Sequence, residues 1–284
     1  MIRRFPLSNN FGGAYTHRRG VKPFTMAIYG FDMQPISRLQ WESVSKTAAY
    51  ILRANIFDAY LGETHYYAYS KDLLYSEILI PDYAPQEFLN LNTLLTAIDR
   101  AEKRYDARTG RVVRLTLPND KEFTDEERFA LARAFVKEAF ISQGMCAVIA
   151  IHAGKNKDPA KSNPHAHVLL TVRPVDSTGF CAKKNRDWNK KGQLFKWRAL
   201  WAEVQNRAFK EKGMKVRVSP DSLEVQGIDR QPTRPLGRAA TALERKGIQT
   251  EIGNYNREIE ARQREQEERH QRMRERHRQR GRSR

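Results

Sequence analysis

Three histidines, His152, His165 and His167, carry the strongest chemical signal in the chain. His165 and His167 flank a single alanine at the head of the apolar run Val168–Val172. Alternate residues of a strand project to one face, so both imidazoles are expected to point the same way. His152 closes a second apolar run, Ala147–Ile151, and the intervening stretch is rich in Gly, Asn, Asp, Pro and Ser, the residues of turns. Paired as an antiparallel hairpin, the two runs set His152 opposite the other two rings. Three neutral imidazoles leave coordination positions open, which is the arrangement of a catalytic metal centre rather than a closed structural one. The competing reading is three separate histidines, each satisfied by its own hydrogen bonds. A cysteine-based zinc site has no support, because the chain holds only Cys146 and Cys181 and no CxxC pair.

A strand pair alone does not make such a centre, so the flanking elements matter. Met26–Phe31 reads as a first strand. Glu42 to Tyr60 has helical spacing, with Val44, Ala48, Ile51, Leu52 and Ile56 on or near one face. Ser76–Ile80, closed by Pro81, reads as a short strand. Pro85 to Arg104 reads as a helix with Phe88, Leu91, Leu95 and Ile98 as its buried stripe. Arg111–Leu117 alternates as a strand and ends at Pro118. Thr124 and Glu127 form a capping-box pattern for a helix reaching about Ser142. Trp188–Lys212 reads as a further helix and Lys215–Val218 as a short strand. Strands and helices are interspersed without regular βαβ alternation, which predicts an α+β fold with a mainly antiparallel sheet packed by helices.

Charge names a class of partner. The 284 residues carry 51 Lys and Arg against 33 Asp and Glu, a formal net charge of +18. Such a balance points to a polyanion, most simply nucleic acid, although ribosomal and membrane-surface proteins share it. The segment Lys183–Gly192 interleaves charge with an aromatic ring, which makes Lys183, Lys184, Arg186 and Trp188 candidate nucleic-acid contacts. An ordinary basic loop whose tryptophan packs on the core is the alternative. The longest apolar runs are strand-sized, so no membrane insertion is expected, and two unpaired cysteines suit a reducing, cytoplasmic setting. GxxxxGK[ST], GxSxG and HExxH are absent. Composition divides the chain into a basic, disordered extension over 1–25, a main domain over 26–230, a helical segment over 231–261 and a tail over 262–284. The tail holds ten arginines against four glutamates, so it is either a solvated helix or disordered.

Several segments resemble one family. Met26-Ala-Ile-Tyr followed by Ser45-Lys-Thr-Ala-Ala-Tyr50-Ile-Leu-Arg53 is similar to the first strand and tyrosine-bearing helix of the MobA/MobL conjugative relaxases. These belong to the histidine-hydrophobe-histidine endonucleases. Ser76-Glu-Ile-Leu-Ile-Pro, Ala101-Glu-Lys-Arg-Tyr-Asp-Ala-Arg, Gly144-Met and Ile151-His152 resemble further family blocks. The most specific match is Asn163-Pro-His165-Ala-His167 followed by Leu170-Thr-Val-Arg-Pro. Ser222–Arg230 and Gly237–Gly247 are similar to the family's post-catalytic segment, so the resemblance spans roughly residues 26–256. The amino-terminal extension departs from the pattern, as does a loop between His152 and His165 longer than in some members.

The resemblance implies a sheet-based nuclease with Tyr50 as nucleophile and His152, His165 and His167 as ligands of a divalent cation. Magnesium or manganese is expected in the cell, with zinc or nickel also matching imidazole donors. It implies nicking of one strand at a plasmid transfer origin through a 5′-phosphotyrosine, which keeps the bond energy for religation. The partners implied are single-stranded origin DNA, relaxosome accessory proteins and a type IV secretion coupling protein, with passage into a recipient cell alongside the DNA. Arg53, one helical turn beyond Tyr50, is a candidate phosphate contact or a solvated arginine. Asp158 is a candidate for orienting a ligand histidine, and Glu77, Asp99 and Glu102 are further carboxylates in family-like blocks. A rolling-circle replication initiator shares the histidine pair and tyrosine, and a non-catalytic basic nucleic-acid-binding protein would share the charge.

Overall fold

The computed structural model describes residues 25–26, 29–154, 162–226, 231–234 and 236–282. The chain divides into two units, Met1–Val218 and Ser219–Arg284. The extension expected over 1–25 lies outside the described residues except for Thr25.

The first unit is built on five antiparallel strands: β2 (Phe31–Ser37), β5 (Leu73–Leu79), β6 (Arg108–Thr116), β7 (Ala147–His152) and β8 (His165–Thr171). Their order across the sheet is β2-β6-β8-β7-β5. With the helices packed on it, this is the α+β architecture anticipated from the sequence. β7 is buried along its whole length, which explains why it reads as a continuous apolar run instead of an alternating one. One face is covered by α3 (Asp125–Ala139) and α4 (Lys191–Glu211), where Phe135, Phe140, Trp197 and Trp201 pack on Val113, Leu115, Ile149 and Leu170. The other face carries α1 (Val44–Leu52) and α2 (Leu91–Ala101), with Ala48, Ile51, Leu94 and Ile98 against Cys146, Val148 and Leu169.

Several boundaries differ from the sequence reading for identifiable reasons. The first sheet strand starts at Phe31 rather than running from Met26, and Pro35 sits within it because β2 is an edge strand, where a missing N–H is tolerated. Thr25–Met26 (β1) instead pairs in parallel with Val216–Arg217 (β11). The helix expected over Glu42–Tyr60 stops at Leu52, because Arg53 turns left-handed at φ 52°, and Asn55–Asp58 (β3) then pairs with Glu63–Tyr66 (β4). The helix expected over Pro85–Arg104 is broken at Asn90, whose side chain accepts from Thr93 N–H and starts α2 anew. A 3₁₀ turn, Gln86–Leu89, precedes it. The capping box at Thr124 forms with both reciprocal hydrogen bonds. A minor ribbon, Val175–Asp176 (β9) with Gly179–Phe180 (β10), follows β8.

In the second unit α5 (Gly237–Arg245) and α6 (Glu251–Arg282) are joined through Glu244, which accepts from Thr250 N–H and pairs with Arg257. The arginine-rich tail is thus the continuation of a polar helix as far as Arg282. Among the described residues no helix is long and apolar enough to cross a membrane.

Candidate metal centre and nucleophile

The site lies at one end of the sheet, on the face that carries α1. β7 and β8 pair so that His152 stands opposite His165, and strand alternation brings His167 to the same face. One nitrogen from each ring lies within 4.8 Å of the other two. Ring centroids are 4.9 to 5.3 Å apart. Nitrogens sharing a tetrahedral ion at about 2.1 Å stand about 3.4 Å apart, so small ring rotations would close the set.

Backbone carbonyls set the protonation of two of the rings. His152 is fully buried, and its Nε2–H donates to the Ile51 carbonyl at 2.7 Å in the last turn of α1. Its Nδ1 accepts from Arg53 Nη2 at 3.2 Å. His165 donates from Nδ1 to the Asn163 carbonyl at 3.1 Å, which leaves Nε2 as the acceptor. Such second contacts fix tautomer and ring orientation in metal-binding histidines. Burial is the main force lowering all three imidazole pKa values, and His167 falls to about 3, with His165, His152 and Arg114 adding to the effect. The rings are therefore neutral at physiological pH, the state a ligand needs. With Nε2 protonated, His152 can ligate only through Nδ1, so an ion would take the place of the Arg53 Nη2 contact; with that exchange the donor set fits a divalent cation.

Tyr50 lies on α1 and is 40% exposed. Its ring meets His167 edge to face at 5.9 Å and Tyr67 at 5.6 Å. Arg53 stacks its guanidinium 4.7 Å from the Tyr50 ring centre. The rest of that guanidinium is committed: Nε and Nη2 donate to the two carboxylate oxygens of Asp72 at 2.7 and 3.1 Å, and Nη1 donates to the Tyr50 carbonyl. Arg53 thereby ties the end of α1, the loop before β5 and His152 together. Its pairing drives the Asp72 carboxyl well below the usual carboxylate range.

The fold thus gathers Tyr50, Arg53, His152, His165 and His167. It does not bring Lys183, Lys184, Arg186 or Trp188 to them. Lys183, Lys184 and Arg186 belong to an open cleft of about 1440 Å³ at the other end of the sheet, lined also by Arg100, Arg104 and Arg108. β6 runs from Arg108 in the cleft to Thr116 opposite His165, a distance of roughly 27 Å along the strand. Within that segment Trp188 is 4% exposed and packs in the core, so it is not the stacking surface its sequence setting suggested. Lys184 pairs with Glu102 at 2.8 Å, whereas Lys183 and Arg186 are exposed. Asp158 lies outside the described residues. Glu77, Asp99 and Glu102 are held in ion pairs with Arg133, Arg38 and Arg173.

Sequence reasoning missed Asp72, Tyr67 and Arg114. Nothing local distinguishes Asp72 or Tyr67, which reach the site through the β3–β4 hairpin and the loop after it. Arg114 left a signal: with Val113 and Leu115 facing the core, alternation along β6 turns Arg114 to the histidine face.

Comparison with known proteins agrees with this picture. The chain is 29% identical over 276 residues to a probable mobilization protein MobA of Bifidobacterium longum, covering 82% of this chain and 47% of that protein. It is 29% identical over 267 residues to a mobilization protein MobL of Acidithiobacillus ferridurans, covering 83% and 68%. The chain therefore spans about half the length of the first of these relatives. A solved structure described as the molecular basis of vancomycin resistance transfer in Staphylococcus aureus superimposes with a TM-score of 0.62 at 30% identity, covering 69% of this chain and 100% of that one. The sequence profile of one family matches residues 42–246, most of the first unit and part of the second, and on that match the chain belongs to the MobA/MobL family.

Proposed function

We propose that this protein is a conjugative DNA relaxase that nicks one strand at a plasmid transfer origin and later rejoins it. The observation that carries the reading is the half-exposed Tyr50 ring packed 5.9 Å from His167 in a cluster of three neutral imidazoles. The relatives named for mobilization support the same reading.

In the proposed reaction the Tyr50 oxygen attacks the scissile phosphorus in line with the 3′-oxygen. The Oη–P bond forms as the P–O3′ bond breaks. The phenolic proton passes to solvent, and the departing 3′-oxygen takes up a proton. The product is a 5′-phosphotyrosine and a free 3′-hydroxyl. Attack by that hydroxyl reverses every step, so no nucleotide cofactor is required. His152, His165 and His167 would hold a divalent ion, manganese or magnesium, that draws charge from a non-bridging phosphate oxygen. Arg53 keeps the end of α1 fixed against His152 and so holds Tyr50 at the centre. The basic cleft at the other end of the sheet would grip DNA beyond the nick, with Lys183 and Arg186 among its exposed cations. Relaxosome accessory proteins and a secretion coupling protein are the partners proposed, and the cytoplasm the place of action.

Denaturing gels with an end-labelled transfer-origin strand test this directly. The protein with manganese should give a covalent species, and Tyr50→Phe should bind the strand and give none. Adduct formation undiminished by Tyr50→Phe would remove Tyr50 from the mechanism. Full nicking in excess chelator would remove the metal.

A further inference from the structure

Arg114 stands directly opposite His167 in the β6–β8 register, on the face that bears all three histidines. Its guanidinium is exposed, and among the described residues it has no ion-pair or hydrogen-bond partner. Asp32 is its neighbour across the β2–β6 pair, but that carboxylate accepts from Gln34 Nε2 at 3.1 Å and forms no ion pair with Arg114. The other cation at the centre differs: Arg53 commits four of its five N–H groups to Asp72, the Tyr50 carbonyl and His152.

An unpaired guanidinium beside a cluster of metal-ligating imidazoles is electrostatically unfavourable for the free protein. Directly opposite residues of neighbouring antiparallel strands have Cβ atoms about 5 Å apart, so a divalent ion held by His167 would feel this charge. A phosphodiester resolves the conflict, because one non-bridging oxygen can face the ion while the other accepts from the guanidinium. We propose that Arg114 is a phosphate-binding residue of the active centre, contacting the scissile phosphodiester and making metal and DNA bind cooperatively. This rests on the relaxase reading above. It assigns Arg114 the substrate contact for which Arg53, already engaged, has little capacity left.

The test reads binding rather than turnover. Free Mn²⁺ is followed by electron paramagnetic resonance for the full chain and for Arg114→Met and Arg114→Lys, with and without oligothymidylate. Removing the charge should tighten Mn²⁺ binding to the DNA-free protein about tenfold, the Coulomb effect of a unit charge several ångströms from a divalent ion in a largely aqueous setting. Oligothymidylate should raise Mn²⁺ affinity in the wild type and much less in Arg114→Met. Arg114→Lys should keep the wild-type Mn²⁺ affinity without DNA and lose part of the coupling, since an ammonium lacks the planar fork. Equal Mn²⁺ affinities and equal coupling in wild type and Arg114→Met would overturn the proposal while leaving the Tyr50 adduct untouched. Failure of every protein to bind Mn²⁺ would overturn both this proposal and the metal-assisted mechanism, and loss of the adduct on its own would indict only the mechanism.

Discussion

His152 shows how much of the centre is decided by single contacts. Its Nε2–H is held by the Ile51 carbonyl and its Nδ1 by Arg53, so the ring is neutral and oriented before any ion arrives. That preparation has a pH signature. Burial lowers the folded-state pKa of all three imidazoles, so below the ordinary histidine value near 6.5 the unfolded chain takes up more protons than the folded one. Stability contributed by the neutral rings is thus complete above about 6.5 and is lost as pH falls toward the His167 value of about 3. Metal-free protein should melt at progressively lower temperature between about pH 6.5 and 4, and His167→Gln should flatten that slope. A melting temperature constant over the interval in the wild type would contradict this. Asp72 acts in a separate, more acidic window. Its carboxyl is lowered by Arg53, so its contribution is present above the ordinary carboxylate value near 4 and disappears only below it.

The elements that hold these residues were unequally legible. The β7–β8 hairpin followed from two apolar runs and a turn-rich connection, and with it came the convergence of the three histidines. Tyr50 was different: spacing made it one aromatic on an amphipathic helix, and only resemblance singled it out. The early end of α1 was hidden because Ile56 continues the apolar period into β3, and a left-handed arginine carries none of the signal that a glycine would. Asp72 and Arg114 are tertiary facts, since their roles depend on which strands become neighbours. Local signals were trustworthy where one turn of chain decides the outcome, as at Thr124. Thr124→Ala should cost about 1 kcal/mol in urea unfolding, the usual worth of an N-cap. Nicking at saturating DNA should be unchanged, because α3 covers the face of the sheet that bears no histidine. A fall in rate larger than the fall in folded fraction would show that the two faces are coupled.

At the scale of the whole first unit, the histidine cluster and the basic cleft are set apart. The histidines occupy one end of the sheet, and the cleft containing Lys183 and Arg186 occupies the other, roughly 27 Å away along β6. On the relaxase reading proposed above, the cations of the cleft would hold DNA at a distance from the scissile phosphate. That separation makes substrate length a diagnostic. An oligonucleotide extending a single nucleotide either side of the nick falls short of the cleft whether its bases are stacked or not. The double variant Lys183→Ala/Arg186→Ala should therefore cleave it at the wild-type rate. On a longer origin strand the same variant should bind more weakly, and its log–log salt slope should be shallower by about 0.7 for each phosphate that the missing cations no longer neutralise. Lys184 is left in place because its pairing with Glu102 supports the cleft wall. Equal losses on short and long strands would mean that the cleft and the centre are not separate holds on the DNA, whereas an unchanged slope on the long strand would remove Lys183 and Arg186 from DNA binding.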